Sequence, residues 1–262
     1  MTLLEAIFLG IVQGITEFLP ISSSGHLELA QLFLGMQNLH HYVIFDLVCH
    51  LGTLLAIFFM FWSEITKSFT TDRKRFIQIV LGTLPLFPLV LIMKPIKALF
   101  NEPQYLGACF LFTALLLYLG IRLARNVGEQ HLEKRKWRDS LTIGLFQAVA
   151  ILPGVSRSGS TISAARVLGW SSQEAITFSF LLAIPAILGG VAIESMQLIL
   201  KGTASMPEVP TGQYIAGFFT SFGVGYYALY QLRLLASKQK FMYFVWYCLL
   251  LGIFTTLYFS IN

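Results

Sequence analysis

The sequence is poor in charge and in cysteine. Only 12% of its 262 residues are charged, whereas soluble domains average roughly 25%. Its three cysteines, Cys49, Cys109 and Cys248, lie far apart in apolar runs and lack the spacing of a metal site or a disulfide framework. The low charge argues against an ordinary soluble domain, and the cysteines indicate packing rather than redox chemistry.

Long apolar segments take up most of the chain, which is 56% hydrophobic with a mean hydropathy of +0.71. A bilayer core of about 30 Å needs roughly 20 such residues per helix. We predict six transmembrane helices, at 42–62, 76–96, 105–123, 174–194, 213–232 and 241–261. Because the runs do not alternate apolar and polar residues, we expect an all-α polytopic membrane protein, not a barrel, with one transmembrane domain over 1–262.

Positive charge is concentrated in three stretches. Residues 67–75, 122–138 and 233–240 contain 13 of the 18 lysines and arginines. Short basic loops stay on the cytoplasmic side of a membrane, so these stretches mark the inner face. The net charge of +5 is therefore interpreted as a topology signal, and no nucleic-acid partner is expected.

Two polar segments interrupt the apolar pattern: "FLPISSSGHLELA" at 18–30 and "ILPGVSRSGSTIS" at 151–163. With all three basic stretches inside, the crossings are consistent only if segments 3–39 and 140–172 return to the side from which they came. Each breaks at a proline followed by serine and glycine, which ends a helix. We predict two re-entrant helical hairpins, one from each side of the membrane, and an extracytoplasmic C-terminus.

The two interruptions also indicate an internal repeat. Gly25 follows Gln13 by twelve positions, Gly159 follows Gln147 by the same interval, and three predicted spans follow each hairpin. Halves of opposite orientation, at about 1–125 and 139–262, would form an inverted-topology repeat with the hairpin tips meeting near the membrane midplane. Secondary transporters of anions share this architecture, so a transporter or a lipid flippase for an anionic or phosphorylated substrate remains an alternative function.

The residues of the two tips favour anion binding. The first tip carries Ser22, Ser23, Ser24, Gly25 and His26, and the second carries Ser156, Arg157, Ser158 and Gly159. Small hydroxyl residues at helix N-termini attract anions through free N–H groups and the helix dipole, and arginine binds phosphate oxygens in pairs. Such residues in membrane helices can also serve packing alone.

A carboxylate accompanies this candidate anion site. Gln13 and Glu17 are four residues apart and share one face of the helix before Pro20. If Glu17 only neutralises Arg157 the pair is structural; if a phosphorylated ligand takes Arg157, Glu17 is free to act as an acid, a base or a cation ligand. Asp46 and His50, one turn apart on the next span, could line the same cavity or lie at the interface.

At these residues the chain resembles the bacterial undecaprenyl-diphosphatases, also called bacitracin-resistance proteins. The family's motifs appear as "QGITEFLPISSSGH" at 13–26 and "PGVSRSGST" at 153–161, and length and span pattern agree over the chain. The resemblance implies hydrolysis of undecaprenyl diphosphate to undecaprenyl phosphate and inorganic phosphate. It also implies a site facing the extracytoplasmic side of the cytoplasmic membrane and a divalent cation, Mg²⁺ or Ca²⁺, without an organic cofactor.

The resemblance assigns roles residue by residue. Glu17 is the expected essential glutamate and possible metal ligand, Ser23 and His26 are the candidate nucleophiles, and Arg157 binds phosphate. The remaining expected substrate-binding residues are Gln13, Ser22, Ser24, Gly25, Asp46, Ser156, Ser158 and Gly159. Some members of the family have glutamate at the position of Gln13. A scheme with two carboxylates is therefore weakened, and Glu17 is the main expected acid–base or metal-binding group. We expect membrane lipid around the protein and a possible homodimer.

Overall fold

The computed structural model describes residues 1–36, 42–89, 103–124, 136–201, 209–237 and 240–261. Regular structure within these ranges is helical, as predicted, and includes no strand. The longer helices are α1 (Leu3–Phe18), α2 (Ser23–Phe33), α3 (Val43–Met60), α4 (Trp62–Thr70), α5 (Arg73–Thr83), α6 (Gln104–Arg122), α7 (Trp137–Val149), α8 (Arg157–Val167), α9 (Ser172–Lys201), α10 (Thr211–Ser237) and α11 (Met242–Ile261).

Four helices in the described part of the chain are long and apolar enough to cross a membrane. They are α3, α6, α9 over Ser172–Leu200, and α11. Their outer faces are rich in exposed large side chains such as Phe59, Ile199 and Leu250. Exposure of so much apolar surface to water is unfavourable, so these faces contact lipid. The chain is therefore a multi-pass membrane protein.

The predicted interruptions of the two polar segments are confirmed. α1 ends at Phe18 and α2 begins at Ser23, while α7 ends at Val149 and α8 begins at Arg157. In both segments the break contains the proline, Pro20 or Pro153, and the next helix starts within a run of serines. Proline prevents continuation of the first helix, and the serines that follow suit the N-terminus of the second.

One predicted span differs from the structure. The sequence predicts a continuous helix at 76–96, but α5 ends at Thr83 and a turn follows at Leu84 and Pro85. Pro85 has no N–H for the ladder and its ring clashes with the preceding turn, an effect that hydropathy does not register. The rest of this prediction, from 90 onward, lies outside the described residues, as do 37–39 of the first hairpin.

Two helices are longer than predicted. α9 continues to Lys201 although the apolar run ends at Glu194, and α10 extends from Thr211 to Ser237 around the predicted 213–232. A charged residue ends an apolar segment without ending the helical hydrogen bonding. α9 also contains Pro185, which the long helix accommodates between packed neighbours.

Close helix pairs occur in corresponding positions along the chain. α1 packs on α10, α5 packs on α7, and α6 packs on α11. Glycines allow these approaches: a Cβ on Gly14 would lie 2.9 Å from the backbone nitrogen of Gly225, and one on Gly144 would lie 3.0 Å from Cα of Gly82. Small residues permit close backbone contact between membrane helices. The result is a frame around the two broken segments.

Candidate active site

The breaks of the two polar segments meet inside this frame. A Cβ on Gly25 would lie 2.9 Å from Cα of Gly154, so the backbones touch there. The Ser158 hydroxyl donates a hydrogen bond of 3.2 Å to the carbonyl oxygen of Leu19. Chain positions separated by about 130 residues thus form one site, as the sequence predicts.

Glu17 and Arg157 form an ion pair across this junction. Nη2 of Arg157 lies 2.5 Å from Oε1 of Glu17, and the side chains are only 17% and 4% exposed. The second oxygen, Oε2 of Glu17, accepts hydrogen bonds from Ser23 Oγ at 2.6 Å and from Gln13 Nε2 at 3.0 Å. The buried carboxylate therefore has a cation on one oxygen and a hydroxyl proton on the other.

Ser23 owes its position to the sharp turn that begins α2. Ser22, the residue before the helix, has φ +74°, and it is the one non-glycine residue with positive φ in the described ranges. Such a conformation costs roughly 1–3 kcal/mol and persists where the surrounding structure requires it, often at functional sites. No side chain caps α2, so its first-turn N–H groups remain available at the same place as the Ser23 hydroxyl.

The start of α8 is fixed by different contacts. The Ser156 hydroxyl accepts a hydrogen bond of 3.0 Å from the N–H of Gly159 and caps the helix. The backbone N–H of Ser156 donates to the Thr113 hydroxyl at 3.0 Å, and that hydroxyl donates to the Gly154 carbonyl at 3.1 Å. Thr113 on α6 therefore anchors the loop that presents Arg157.

A cavity of about 440 Å³ opens beside the ion pair. It is lined by Glu17, Ser22, Ser23, Ser24, Ser156, Arg157 and Ser158 from the predicted site, together with His50, Glu28, Glu194 and apolar residues of α3 and α9. Hydroxyls, a guanidinium and helix N-termini on one side suit an anionic headgroup. The apolar side suits a hydrocarbon chain.

Two buried polar atoms next to the ion pair have unused hydrogen-bonding capacity. Nη1 of Arg157 and Oε1 of Gln13 are buried and have no protein partner. An unpaired buried donor costs roughly 1–3 kcal/mol, and a charged one more. Arg157 therefore pairs with Glu17 through one nitrogen and keeps an unused donor on the other, so the ion pair does not use all the hydrogen bonds of the guanidinium.

Five predicted residues do not line the cavity: Gln13, Gly25, His26, Asp46 and Gly159. His26 Nδ1 donates to the Ser22 carbonyl at 2.6 Å, so Nε2 accepts from the Tyr247 hydroxyl at 2.7 Å, and the ring stacks on Tyr247. Asp46 accepts a hydrogen bond from Gln31 at 2.9 Å. Gly25 and Gly159 serve the close backbone contact of the two breaks. The structure assigns these residues positions behind the cavity wall.

His50 replaces His26 as the histidine nearest the ion pair. Its Nδ1 donates to the Asp46 carbonyl at 2.7 Å, which leaves Nε2 directed toward Glu17 at 3.7 Å from Oε2. The sequence signal was the Asp46–His50 pair on an apolar span, where ionisable residues usually have a function. Glu28 and Glu194 carry the same signal and were missed.

The residues do not form a cation site by themselves. In the described ranges no group of three His, Cys, Asp or Glu side chains is arranged to bind a metal. Both oxygens of Glu17, the predicted ligand, already accept hydrogen bonds from Arg157, Ser23 and Gln13. A cation would need most of its ligands from a bound substrate.

Fold and site together define a class of protein: a multi-pass helical membrane protein whose cavity combines serine hydroxyls, a guanidinium and carboxylates with apolar residues. The chain belongs to the bacitracin resistance protein BacA family, whose model matches residues 6–254. An undecaprenyl-diphosphatase of Protochlamydia amoebophila is 57% identical over 260 residues, covering 99% of this chain and 100% of the relative. Undecaprenyl-diphosphatases of Carboxydothermus hydrogenoformans and Methanobrevibacter smithii are 37% and 36% identical, each over at least 94% of both chains.

Proposed function

We propose that the protein hydrolyses undecaprenyl diphosphate to undecaprenyl phosphate and inorganic phosphate, which recycles the lipid carrier of cell-wall polymers. The observation that carries this proposal is the hydrogen bond of 2.6 Å from Ser23 Oγ to Glu17, next to the ion pair with Arg157. A hydroxyl hydrogen-bonded to a carboxylate is a nucleophile with its base. Full-length relatives named for this activity support the same reaction.

In the first step, Ser23 Oγ attacks the terminal phosphorus of the diphosphate. The Ser23 proton passes to Glu17, the bond from phosphorus to the bridging oxygen breaks, and undecaprenyl phosphate leaves with the bonding electrons. Nη1 of Arg157 and the N–H groups of α2 and α8 stabilise the charge on the transferred phosphoryl group. Glu17 then gives its proton to the departing phosphate.

In the second step, water attacks the phosphoserine at position 23. Glu17 accepts the water proton, the Oγ–phosphorus bond breaks, the proton returns to Ser23, and inorganic phosphate leaves. His50, 3.7 Å from Glu17 and lining the cavity, is placed to assist proton transfer. His26 is a positioning residue, because its bonds to the Ser22 carbonyl and Tyr247 fix the strained turn before Ser23.

An apolar groove that adjoins the catalytic cavity supports a lipid substrate. Ile44, Leu47, Val48, Leu51, Val191, Ser195, Leu198 and Ile199 line an apolar groove between α3 and α9. Leu47 and Val191 also line the catalytic cavity, so the two spaces adjoin. A polyprenyl tail in this groove would leave the diphosphate beside Arg157 while the tail remains in lipid.

The membrane arrangement proposed from the sequence extends this picture. Six spans and two re-entrant hairpins would form an inverted repeat, with halves at about 1–125 and 139–262, in the cytoplasmic membrane. The matching pairs α1–α10 and α5–α7 support the repeat, and the basic stretches support a cavity that opens on the extracytoplasmic side. We expect alkaline phosphatase fused to the C-terminus to be active. An inactive phosphatase fusion, together with fluorescence from a C-terminal fusion to a reporter that is fluorescent only in the cytoplasm, would refute this orientation.

A divalent cation and a homodimer are further proposals. Mg²⁺ or Ca²⁺ would bind with the diphosphate, with Glu28 and Glu194 as additional carboxylates on the cavity wall, and would reduce the negative charge of the headgroup. Exposed aromatic side chains on α11 such as Trp246 and Phe254 are compatible with lipid or a second copy. Chelator sensitivity and the mass of the purified particle test the two proposals separately.

Phosphate release in detergent tests the enzymatic function. Purified protein and a polyprenyl diphosphate share one compartment there, so a transporter produces no signal, whereas the enzyme releases inorganic phosphate. Acid-stable label on the peptide containing Ser23 would support the serine nucleophile. Acid-labile label on His26 would reassign that role, and absence of phosphate release would favour the anion transporter.

A further inference from the structure

A second cavity lies at the opposite end of α8 from Arg157. It has a volume of about 470 Å³, and its lining includes Arg122, Ser163, Arg166, Ser172, Phe241 and Met242. Arg166 follows Arg157 by nine residues, so the two guanidinium-bearing positions are about 14 Å apart along the helix axis. The two cavities share no lining residue, so this one is separate from the catalytic site.

Two arginines supply positive charge to this second cavity. Arg166 donates from Nη1 to the Trp170 carbonyl at 2.7 Å, and Arg122 lies over the Tyr118 ring at 5.5 Å from its centroid. Across the part of the chain that the structure describes, no carboxylate pairs with either guanidinium. Arg166 is half-buried and Arg122 is exposed, and a guanidinium has five N–H donors, so both side chains keep donors that a bound anion can use.

The walls of the cavity suit a compact anion with tetrahedral oxygens. Ser163 is 5% exposed and lies against Gly120, the residue that lets α6 approach α8. Ser172 and Met242 are the first residues of α9 and α11, so two helix N-termini meet the same space. Planar guanidinium groups bind phosphate oxygens in pairs, and helix N-termini add partial positive charge.

We propose that this second cavity binds a phosphate group, either of a membrane phospholipid headgroup or of free phosphate, at the face marked by the basic stretch 122–138. Leu117, Ile121, Ile162 and Phe241 form an apolar wall beside the arginines, which would accommodate the start of an acyl chain. The site is independent of hydrolysis, because none of its residues belongs to the catalytic cavity.

Native mass spectrometry and thermal shift measurements on the full-length protein test this proposal. Three probes are used separately: dioleoyl phosphatidic acid, dioleoyl phosphatidylcholine as a zwitterionic control, and inorganic phosphate. The variants are Arg122→Gln alone and Arg122→Gln with Arg166→Gln. Arg138→Gln is the matched control, since Arg138 is an exposed arginine on the same basic stretch, stacked on Trp137.

The expected result is one equivalent of phosphatidic acid that binds about tenfold more weakly in Arg122→Gln and is lost in the double variant. Binding should be unchanged in Arg138→Gln, and phosphate release should be unchanged in Arg122→Gln. Displacement of this lipid by millimolar inorganic phosphate would assign the site to free phosphate. Equal binding by the original protein and Arg122→Gln, or equal binding of phosphatidylcholine, would overturn the proposal.

Discussion

Replacement of Arg157 by lysine tests how the ion pair acts in the reaction. The guanidinium has one nitrogen on Glu17 and a second that is buried and unpartnered. Lysine keeps the charge but replaces the planar guanidinium with a single nitrogen on a flexible stem, so it cannot hold one nitrogen on Glu17 and a second one on the phosphate. We therefore expect Arg157→Lys to fold and to lose one donor to the phosphoryl group.

The size of the expected loss of activity follows from the burial of the Glu17–Arg157 pair. Because Glu17 is 4% and Arg157 17% exposed, water neither screens the lost donor nor replaces it. Removal of one such transition-state donor costs about 2.7–4 kcal/mol, or 10²- to 10³-fold in kcat. The loss should appear in kcat more than in KM, because the donor is used most strongly when charge moves onto the phosphoryl oxygens.

The assay is phosphate release from a polyprenyl diphosphate by protein purified in detergent. Arg138→Lys is the matched control, since it makes the same exchange at an exposed arginine stacked on Trp137, and it should behave as the original protein. Thermal unfolding of both variants separates misfolding from lost chemistry. Activity of Arg157→Lys within a few-fold of the original protein, at equal stability, would refute the assigned role of the second nitrogen.

Three further predictions concern the nucleophile, the tail groove and the helix frame. Ser23→Ala should abolish phosphate release and covalent labelling while Ser260→Ala, at the exposed end of α11, does not; retained turnover in Ser23→Ala would exclude the serine mechanism. Ser195→Trp should raise KM for a long polyprenyl diphosphate and spare farnesyl diphosphate, because Ser195 lines the groove between α3 and α9; equal effects on both would remove the tail from that groove. Gly144→Ala should lower the stability of the fold by about 1–3 kcal/mol, because its Cβ would meet the Gly82 backbone. Gly189→Ala is the control, since a Cβ on Gly189 meets nothing within 4 Å. Equal stabilities of the two variants would contradict the close packing at Gly144.

The positions of the helix breaks and the meeting of their tips were predictable from sequence. Proline followed by serine and glycine within an apolar run leaves few alternatives, and Pro20 and Pro153 both lie in observed breaks. The break at Pro85 was missed because the flanking residues are as apolar as a continuous span. Hydropathy measures preference for lipid and is insensitive to a missing N–H group.

The direction of individual side chains was not predictable. His26 and His50 are both histidines near serine or aspartate in an apolar setting, but the turn at Ser22 rotates His26 toward Tyr247 while α3 directs His50 toward Glu17. Helix periodicity fixes the face of a residue only when the start of the helix is known. The strained φ of Ser22 and the partner helix α11, more than 200 residues away, decide this case.

We infer that Glu17 and Arg157, from two separate breaks, act as one catalytic unit. A double-mutant cycle of phosphate release measures this directly, with Glu17→Gln, Arg157→Lys and the combined variant in the same detergent. We expect the combined variant to be no slower than the slower single variant, because either change already disables the unit. Losses in kcat/KM that multiply in the combined variant would show that the two residues act independently and would contradict the account.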